Sequence, residues 1–320
     1  MKSLLWDIDY RCNLHCIHCY NEQSDRNRKS NLLNNFGIDF TLDRIIELGV
    51  EHLHLLGGEP LLYSGIIELI QKAKRRNLKV SVNTNGLLLS KQTVMELISA
   101  NLDQITVSLD GENARDNDII RGENTFNIVT EKIRSMVEIV ADSKSKLLIQ
   151  IASVVTKENI NKIYRMPILV NMLGVRYLDI MPIHYQGNGL KNKSTLEISE
   201  EEYKSIIPKV LYYSYIYNVY TQIDCNSAYL DEICKKMGFV RNTNSMFDIC
   251  QGGKEFLYMN AEGDLFPCGP MSFSNKWQQY ISLLDDNVKE EIEKIPIYMR
   301  GLIKCNDDEA QLCIKCPISM

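Results

Sequence analysis

Six short runs rich in β-branched and apolar residues alternate with amphipathic stretches through about residue 186, and that alternation restricts the fold more than any other property of the chain. The strand candidates are residues 4–8, 52–56, 80–83, 104–109, 147–155 and 176–182. Between them, segments 41–48, 64–76, 91–100, 125–140 and 160–173 repeat apolar residues at 3- and 4-residue steps, the period of a helix packed on one face. Strands separated by helices pair parallel as βαβ units, so the fold class is α/β. In such folds the loops at the carboxyl ends of the strands build the site. At 320 residues and 45% hydrophobic content the chain holds enough apolar material for two domains of ordinary size.

The first strand runs straight into Arg11-Cys-Asn-Leu-His-Cys-Ile-His-Cys-Tyr20, which sets Cys12, Cys16 and Cys19 in a CxxxCxxC loop. Three thiolates on one tight loop suit three corners of a [4Fe-4S] cube and leave one iron open. Zinc normally recruits four ligands from two separated pairs, and a zinc knuckle using His15 or His18 is the alternative for this loop taken alone. After the second strand comes Gly57-Gly58-Glu59-Pro60. The β-branched run 79–86 ends in an Asn-Gly turn, and Ile105-Thr-Val-Ser-Leu-Asp-Gly111 is a further strand with its turn.

The order CxxxCxxC, GGEP, ISLDG-like segment and D-x-x-R-G-like stretch (Asp116 to Arg121-Gly122) resembles the radical S-adenosylmethionine (radical SAM) enzymes. That resemblance implies an open six-stranded partial TIM barrel, (βα)6, over residues 1–186. It implies that Cys12, Cys16 and Cys19 hold a [4Fe-4S] cluster and that Gly57, Gly58 and Glu59 hold the amino group of S-adenosylmethionine. Ser108 and Asp110 would approach its ribose or carboxylate, and Arg121 would pair the carboxylate through its planar fork. Read singly, Ser108 also suits a strand end, Asp110 an Asx turn and Arg121 a solvated surface charge. The implied activity is reductive cleavage of S-adenosylmethionine and abstraction of a substrate hydrogen atom, with a flavodoxin- or ferredoxin-type protein as electron donor.

From about residue 187 to 249 a bridging helical segment is expected. Ser199 ahead of three glutamates reads as a helix N-cap. Tyrosines 212, 213, 215, 217 and 220 follow, to pack that helix or to line a groove. Residues 250–320 carry Cys250, Cys268, Cys305, Cys313 and Cys316. Residues 259–268 read as a β-hairpin that delivers Cys268. This region resembles the cysteine-rich α+β extension called SPASM or, in a shorter version, twitch. Because the chain ends four residues after Cys316, one auxiliary [4Fe-4S] cluster is expected, held by Cys250, Cys268, Cys313 and Cys316, with a Cys₄ zinc site as the alternative.

Cys225, Cys234 and Cys305 stand outside these sets. Each suits a buried filler, and Cys225 is also the candidate hydrogen-atom donor to a substrate radical. A net charge of −5 without a basic stripe excludes the electrostatic footprint of a nucleic-acid binder. The apolar start is too short for a signal peptide or a membrane span, so a cytoplasmic protein is expected, and its ten cysteines read as ligands or thiols rather than disulfides. The resemblance to SPASM and twitch enzymes implies a peptide substrate, modified by crosslinking, epimerisation or oxidation. The other expectation is a small-molecule, aminosugar-like dehydrogenase or epimerase.

Overall fold

The computed structural model of the chain describes residues 2–21, 31–225, 227–238, 243–245, 252–272 and 277–302. All six expected strands form: β1 (Ser3–Asp7), β2 (His52–Leu56), β3 (Lys79–Thr84), β4 (Gln104–Ser108), β5 (Leu148–Val155) and β6 (Tyr177–Pro182). They pair parallel, each with the next in the chain. The intervening helices are α1 (Asn31–Glu47), α2 (Ile66–Arg75), α3 (Lys91–Ser99), α4 (Ala114–Arg121), α5 (Thr125–Asp142) and α6 (Met166–Met172). Helix α1 is broken at Gly37, which sits at a φ of 76°. Helix α4 was not foreseen, because its polar sequence ARDNDIIR lacks an apolar stripe. It starts instead on a cap, with the Asn113 side chain accepting the Asp116 amide.

Period-2 alternation divides the strand residues between two faces. Leu4, Trp6, Leu53, Leu55, Val80, Val82, Ile105, Val107, Ile151, Leu178 and Ile180 are fully buried in one core with Leu69 and Ile70 of α2 and Ile133 of α5. Each such side chain contributes roughly 1.5–3 kcal/mol by leaving water. The alternate positions carry Asp7, His54, Ser81, Thr106, Ser108, Gln150 and Asp179, which gives the sheet a polar face. Register aligns these into rows, one of which is Ser108, Ala152, Asp179.

Beyond β6 the sheet continues. Helices α7 (Gly187–Lys191), α8 (Lys193–Leu196) and α9 (Glu200–Ile216) lead to β7 (Tyr220–Ile223), then α10 (Ser227–Met237) and β8 (Thr243–Ser245). β7 pairs parallel to β6, and β8 to β7, so the segment expected as a helical bridge also adds two strands to the main sheet. The hairpin expected at 259–268 forms as β9 (Phe256–Met259) and β10 (Leu265–Phe266), with Gly263 in the turn at a φ of 96°. β9 pairs parallel to β1, giving, among the described residues, ten strands in the order β10-β9-β1-β2-β3-β4-β5-β6-β7-β8. A four-residue helix α11 (Gly269–Ser272) and the longer α12 (Val288–Leu302) follow. Among the described residues no helix is long and apolar enough to cross a membrane.

Candidate active site

The cysteine loop leaves the carboxyl end of β1 and is clasped by the loop that leaves β2. The Gly58 amide donates to the Asp9 carbonyl at 2.8 Å and the Glu59 amide to the Arg11 carbonyl at 2.7 Å. A Cβ at Gly58 would collide with the Tyr10 and Arg11 carbonyls, and one at Gly57, whose φ is 137°, with that of Asp9. Two glycines are therefore needed for the backbones to approach this closely. Further along, the Ile17 amide donates to the carbonyl of Ile120 on α4, and the Gly189 amide on α7 to that of Cys19. Asn188 and Asn192, also from the α7 region, donate their side-chain amides to the Cys16 and Ile17 carbonyls at 3.2 and 3.0 Å.

Glu59 has no exposed surface. Its Oε1 accepts from the Leu61 amide at 3.1 Å and from the Thr84 hydroxyl at 2.7 Å, while Oε2 accepts from the Asn85 amide at 2.8 Å. Burial pushes the carboxyl above its ordinary range, and the three donors pull it back. The residue links the β2 and β3 loops, and three of its roughly four acceptor positions are in use. Asn85 extends the link, since its side chain donates to Asn13 Oδ1 at 2.7 Å and approaches Cys12 Sγ at 3.8 Å.

Asp110, at the end of the β4 strand run, is fully enclosed. Its Oδ1 accepts from the Val154 amide at 2.7 Å, and Oδ2 faces Arg121 Nε at 2.6 Å and His18 Nε2 at 3.2 Å. Burial lowers His18 to about 4, against the pull of Asp110, so the imidazole is neutral near pH 7. His18 was weighed from sequence only as a zinc donor. The structure commits it to Asp110, and through Asp110 to Arg121. Arg121 is buried as well, and its charge acts on the Cys16 and Cys19 thiols. Ser108 ends β4 on the polar face, opposite Ala152.

Burial raises the Cys12 thiol, lifts Cys16 to about 11 and lifts Cys19 to about 12. Sulfurs in such a setting ionise when a cationic group binds them. The Leu14 and Asn21 amides point at Cys12 and Cys19 Sγ at 3.4 Å each, the kind of N–H donation that tunes sulfur-bound iron. Among the described residues no three His, Cys, Asp or Glu side chains converge on a single metal ion. Three thiol side chains carried on one short loop, two of them approached by backbone amides, are a donor set that fits three corners of a [4Fe-4S] cluster. Beneath the loop, Asp7 accepts from Tyr20 at 3.0 Å and from Tyr258 of β9 at 2.5 Å, and burial raises it to about 6. Tyr10 donates to Glu262. These tyrosines moor the C-terminal hairpin to the cysteine loop.

Cys268 follows β10 and is half-buried, as is Cys225 beyond β7, six strands from β1 in the sheet order, while Cys234 is buried on α10. Cys250, Cys305, Cys313 and Cys316 lie outside the described residues. The contacts of Thr84, Asn85, Asn188 and Asn192, and the pairing of His18 with Asp110, gave no sequence signal, because the partners are tens of residues away. The tyrosine row packs: Tyr213 stacks on Tyr164 at 5.9 Å, and Tyr212 and Tyr215 reach solvent.

Residues 8–166 match the radical SAM superfamily. This stretch is a radical SAM domain. The chain is similar to the AdoMet-dependent heme synthase of Methanosarcina barkeri, 26% identical over 91% of this chain and 80% of that protein. It is also similar to the PqqA peptide cyclase of Gluconobacter oxydans, 30% identical over 62% of this chain and 54% of the cyclase, so it spans about half of that relative. Among solved structures, Streptococcus suis SuiB bound to its precursor peptide SuiA superposes with a TM-score of 0.72 at 17% identity, covering 99% of this chain and 69% of SuiB. At that identity the likeness shows the fold. The matched stretch includes the cysteine loop, the glycine clasp, Asp110 and Arg121.

Proposed function

We propose that the chain is a radical SAM enzyme that reductively cleaves S-adenosylmethionine and abstracts a hydrogen atom from a peptide substrate, leading to a crosslink, an epimerisation or an oxidation. The observation that carries the site is the clasp of Gly57-Gly58-Glu59 on the cysteine loop. The peptide reading is supported by the PqqA peptide cyclase and by the fold shared with peptide-bound SuiB. Cys12, Cys16 and Cys19 would hold a [4Fe-4S] cluster, which supplies the electron for S-adenosylmethionine cleavage when bound. In this reading Glu59 offers its remaining acceptor position on Oε2 to the ammonium of S-adenosylmethionine. Arg121, with five N–H donors, has more than Asp110 can accept and offers the rest to the carboxylate. Ser108 lies at the strand end suited to the ribose, and Asp110 with His18 fixes the arginine.

Residues 250–320 are read as a twitch- or SPASM-like region in which Cys250, Cys268, Cys313 and Cys316 hold one auxiliary [4Fe-4S] cluster. Cys225 is the proposed hydrogen-atom donor if the outcome is epimerisation. A flavodoxin- or ferredoxin-type donor and a cytoplasmic setting follow from the need for low-potential electrons and reduced thiols. A small-molecule substrate is the second reading, favoured by the heme synthase match, which spans most of both chains.

Anaerobic reconstitution is expected to give about eight irons per chain, falling to about four when Cys12, Cys16 and Cys19 are all replaced by Ala. Stoichiometric zinc with four irons would remove the auxiliary cluster from the proposal. The reduced enzyme should release 5′-deoxyadenosine from S-adenosylmethionine. Stimulation of that release by peptides but not by tetrapyrroles or aminosugars supports the first reading, and the reverse pattern the second.

A further inference from the structure

Two acids on the polar face are not engaged by any of the site contacts above. Asp179 lies in the middle of β6, paired across to Ala152 of β5 and Gln222 of β7. Its neighbours Leu178 and Ile180 point the other way, fully buried in the core, so the carboxylate projects onto the polar face, in the row that begins at Ser108. Asp224 follows β7 directly and donates its amide to the Ile180 carbonyl at 3.0 Å, continuing the ladder. Ile223 is fully buried in the core, so alternation turns Asp224 toward the same face as Asp179, one diagonal step nearer the carboxyl edge.

Asp179 is only 8% exposed, yet its Oδ1 has no hydrogen-bond partner. A buried acceptor left unpaired is costly unless something else satisfies it. Among the described residues no lysine or arginine pairs with either acid. The Tyr203 hydroxyl of α9 donates to the Ile180 carbonyl at 3.2 Å. Burial and the neighbouring Asp224 lift Asp179 to about 7, and burial lifts Asp224 to about 6. A buried acid with an open oxygen, beside a half-buried second acid on the neighbouring strand end, makes a receptor for positive charge.

We infer that Asp179 and Asp224 form the subsite for a primary ammonium on the substrate. An ammonium has three donors on a compact charge and can bridge two carboxylates. A hard divalent ion takes six or more oxygens, and among the described residues no third acid joins this pair. Under the peptide reading above, on which this last step rests, the ammonium belongs to a lysyl side chain or to a peptide amino terminus.

The test uses the reconstituted full chain with N-acetyl-lysine N-methylamide, its uncharged norleucine counterpart, n-butylammonium and magnesium chloride, followed by ligand-observed NMR. The lysine probe and butylammonium should bind and the norleucine probe should not. Asp179→Asn and Asp224→Asn, with thermal midpoints at or above wild type at pH 8, should each weaken that binding by tenfold or more. Failure of wild type to bind either ammonium, equal binding of the lysine and norleucine probes, or ammonium binding untouched by both substitutions would overturn the assignment. So would magnesium binding that depends on Asp179 and displaces the ammonium. If butylammonium binding depends on both acids while no peptide stimulates 5′-deoxyadenosine release, the subsite stands and the peptide reading falls.

Discussion

At the scale of single residues, the site depends on positions where a side chain is absent. Gly58 lies against the Tyr10 and Arg11 carbonyls, so Gly58→Ala must push the β2 loop off the cysteine loop and break two backbone hydrogen bonds. Overpacking of this kind costs about 1–3 kcal/mol, small beside a core but concentrated where Cys12 and Glu59 are aligned. The variant is expected to keep its far-UV circular dichroism and to lose S-adenosylmethionine affinity tenfold or more by equilibrium dialysis; wild-type affinity would show that the clasp does not align the site. The motif itself was legible, because Gly-Gly-Glu-Pro after an apolar run is a local pattern. The three donors that hold Glu59 were not. Thr84 and Asn85 belong to a turn 25 and 26 residues away, and only the pairing of β2 with β3 brings them to the carboxylate. The pairing of His18 with Asp110 was not legible for the same reason, since Asp110 lies two residues beyond β4.

At the scale of elements, strength of local signal decided what could be read. Strands β1 to β6 announce themselves by apolar alternation, and α9 by its capping residues. Ser199 accepts the Glu202 amide at 3.1 Å and Glu202 accepts the Ser199 amide at 2.9 Å, a reciprocal capping box. Glu202 also pairs with Lys157. The cap holds the start of the helix that buries Tyr203, Ile206, Ile207 and Val210. Ser199→Ala should lower unfolding free energy by about 1 kcal/mol in urea titrations without changing the slope; a loss under a few tenths would mean the helix is fixed by packing alone. Strands β7 and β8 are four and three residues long, too short to carry a period, and they are strands because the β6 edge offers partners, which is not local information. The β9-β10 hairpin was legible from its turn, but its pairing with β1 was not. The tyrosine row likewise became a packing surface only once Tyr164 stood opposite Tyr213.

At the scale of the whole molecule, the division of the sheet into an apolar and a polar face has a measurable cost that changes with pH. Asp179 is raised from 3.8 to about 7 because burial and Asp224 disfavour its charge, and burial and the two acids in turn raise the Tyr203 hydroxyl of α9. Between those two values the folded protein binds a proton that the unfolded chain has released. Stability contributed at this position is therefore greatest below about pH 4 and declines as pH rises toward 7. Asp7, raised to about 6, adds a slope of the same sign, while His18 and His54, lowered to about 4 and about 3, add the opposite slope as pH falls. The wild-type curve mixes these, so the informative quantity is the difference between wild type and Asp179→Asn. The amide cannot ionise, and the substituted protein should gain on wild type progressively from about pH 4 to 7, then hold a constant advantage above. Urea unfolding at half-unit pH steps measures this. A flat difference would mean that Asp179 keeps an ordinary carboxyl and that its open oxygen is solvated, which would also withdraw the reason for a cation to bind there.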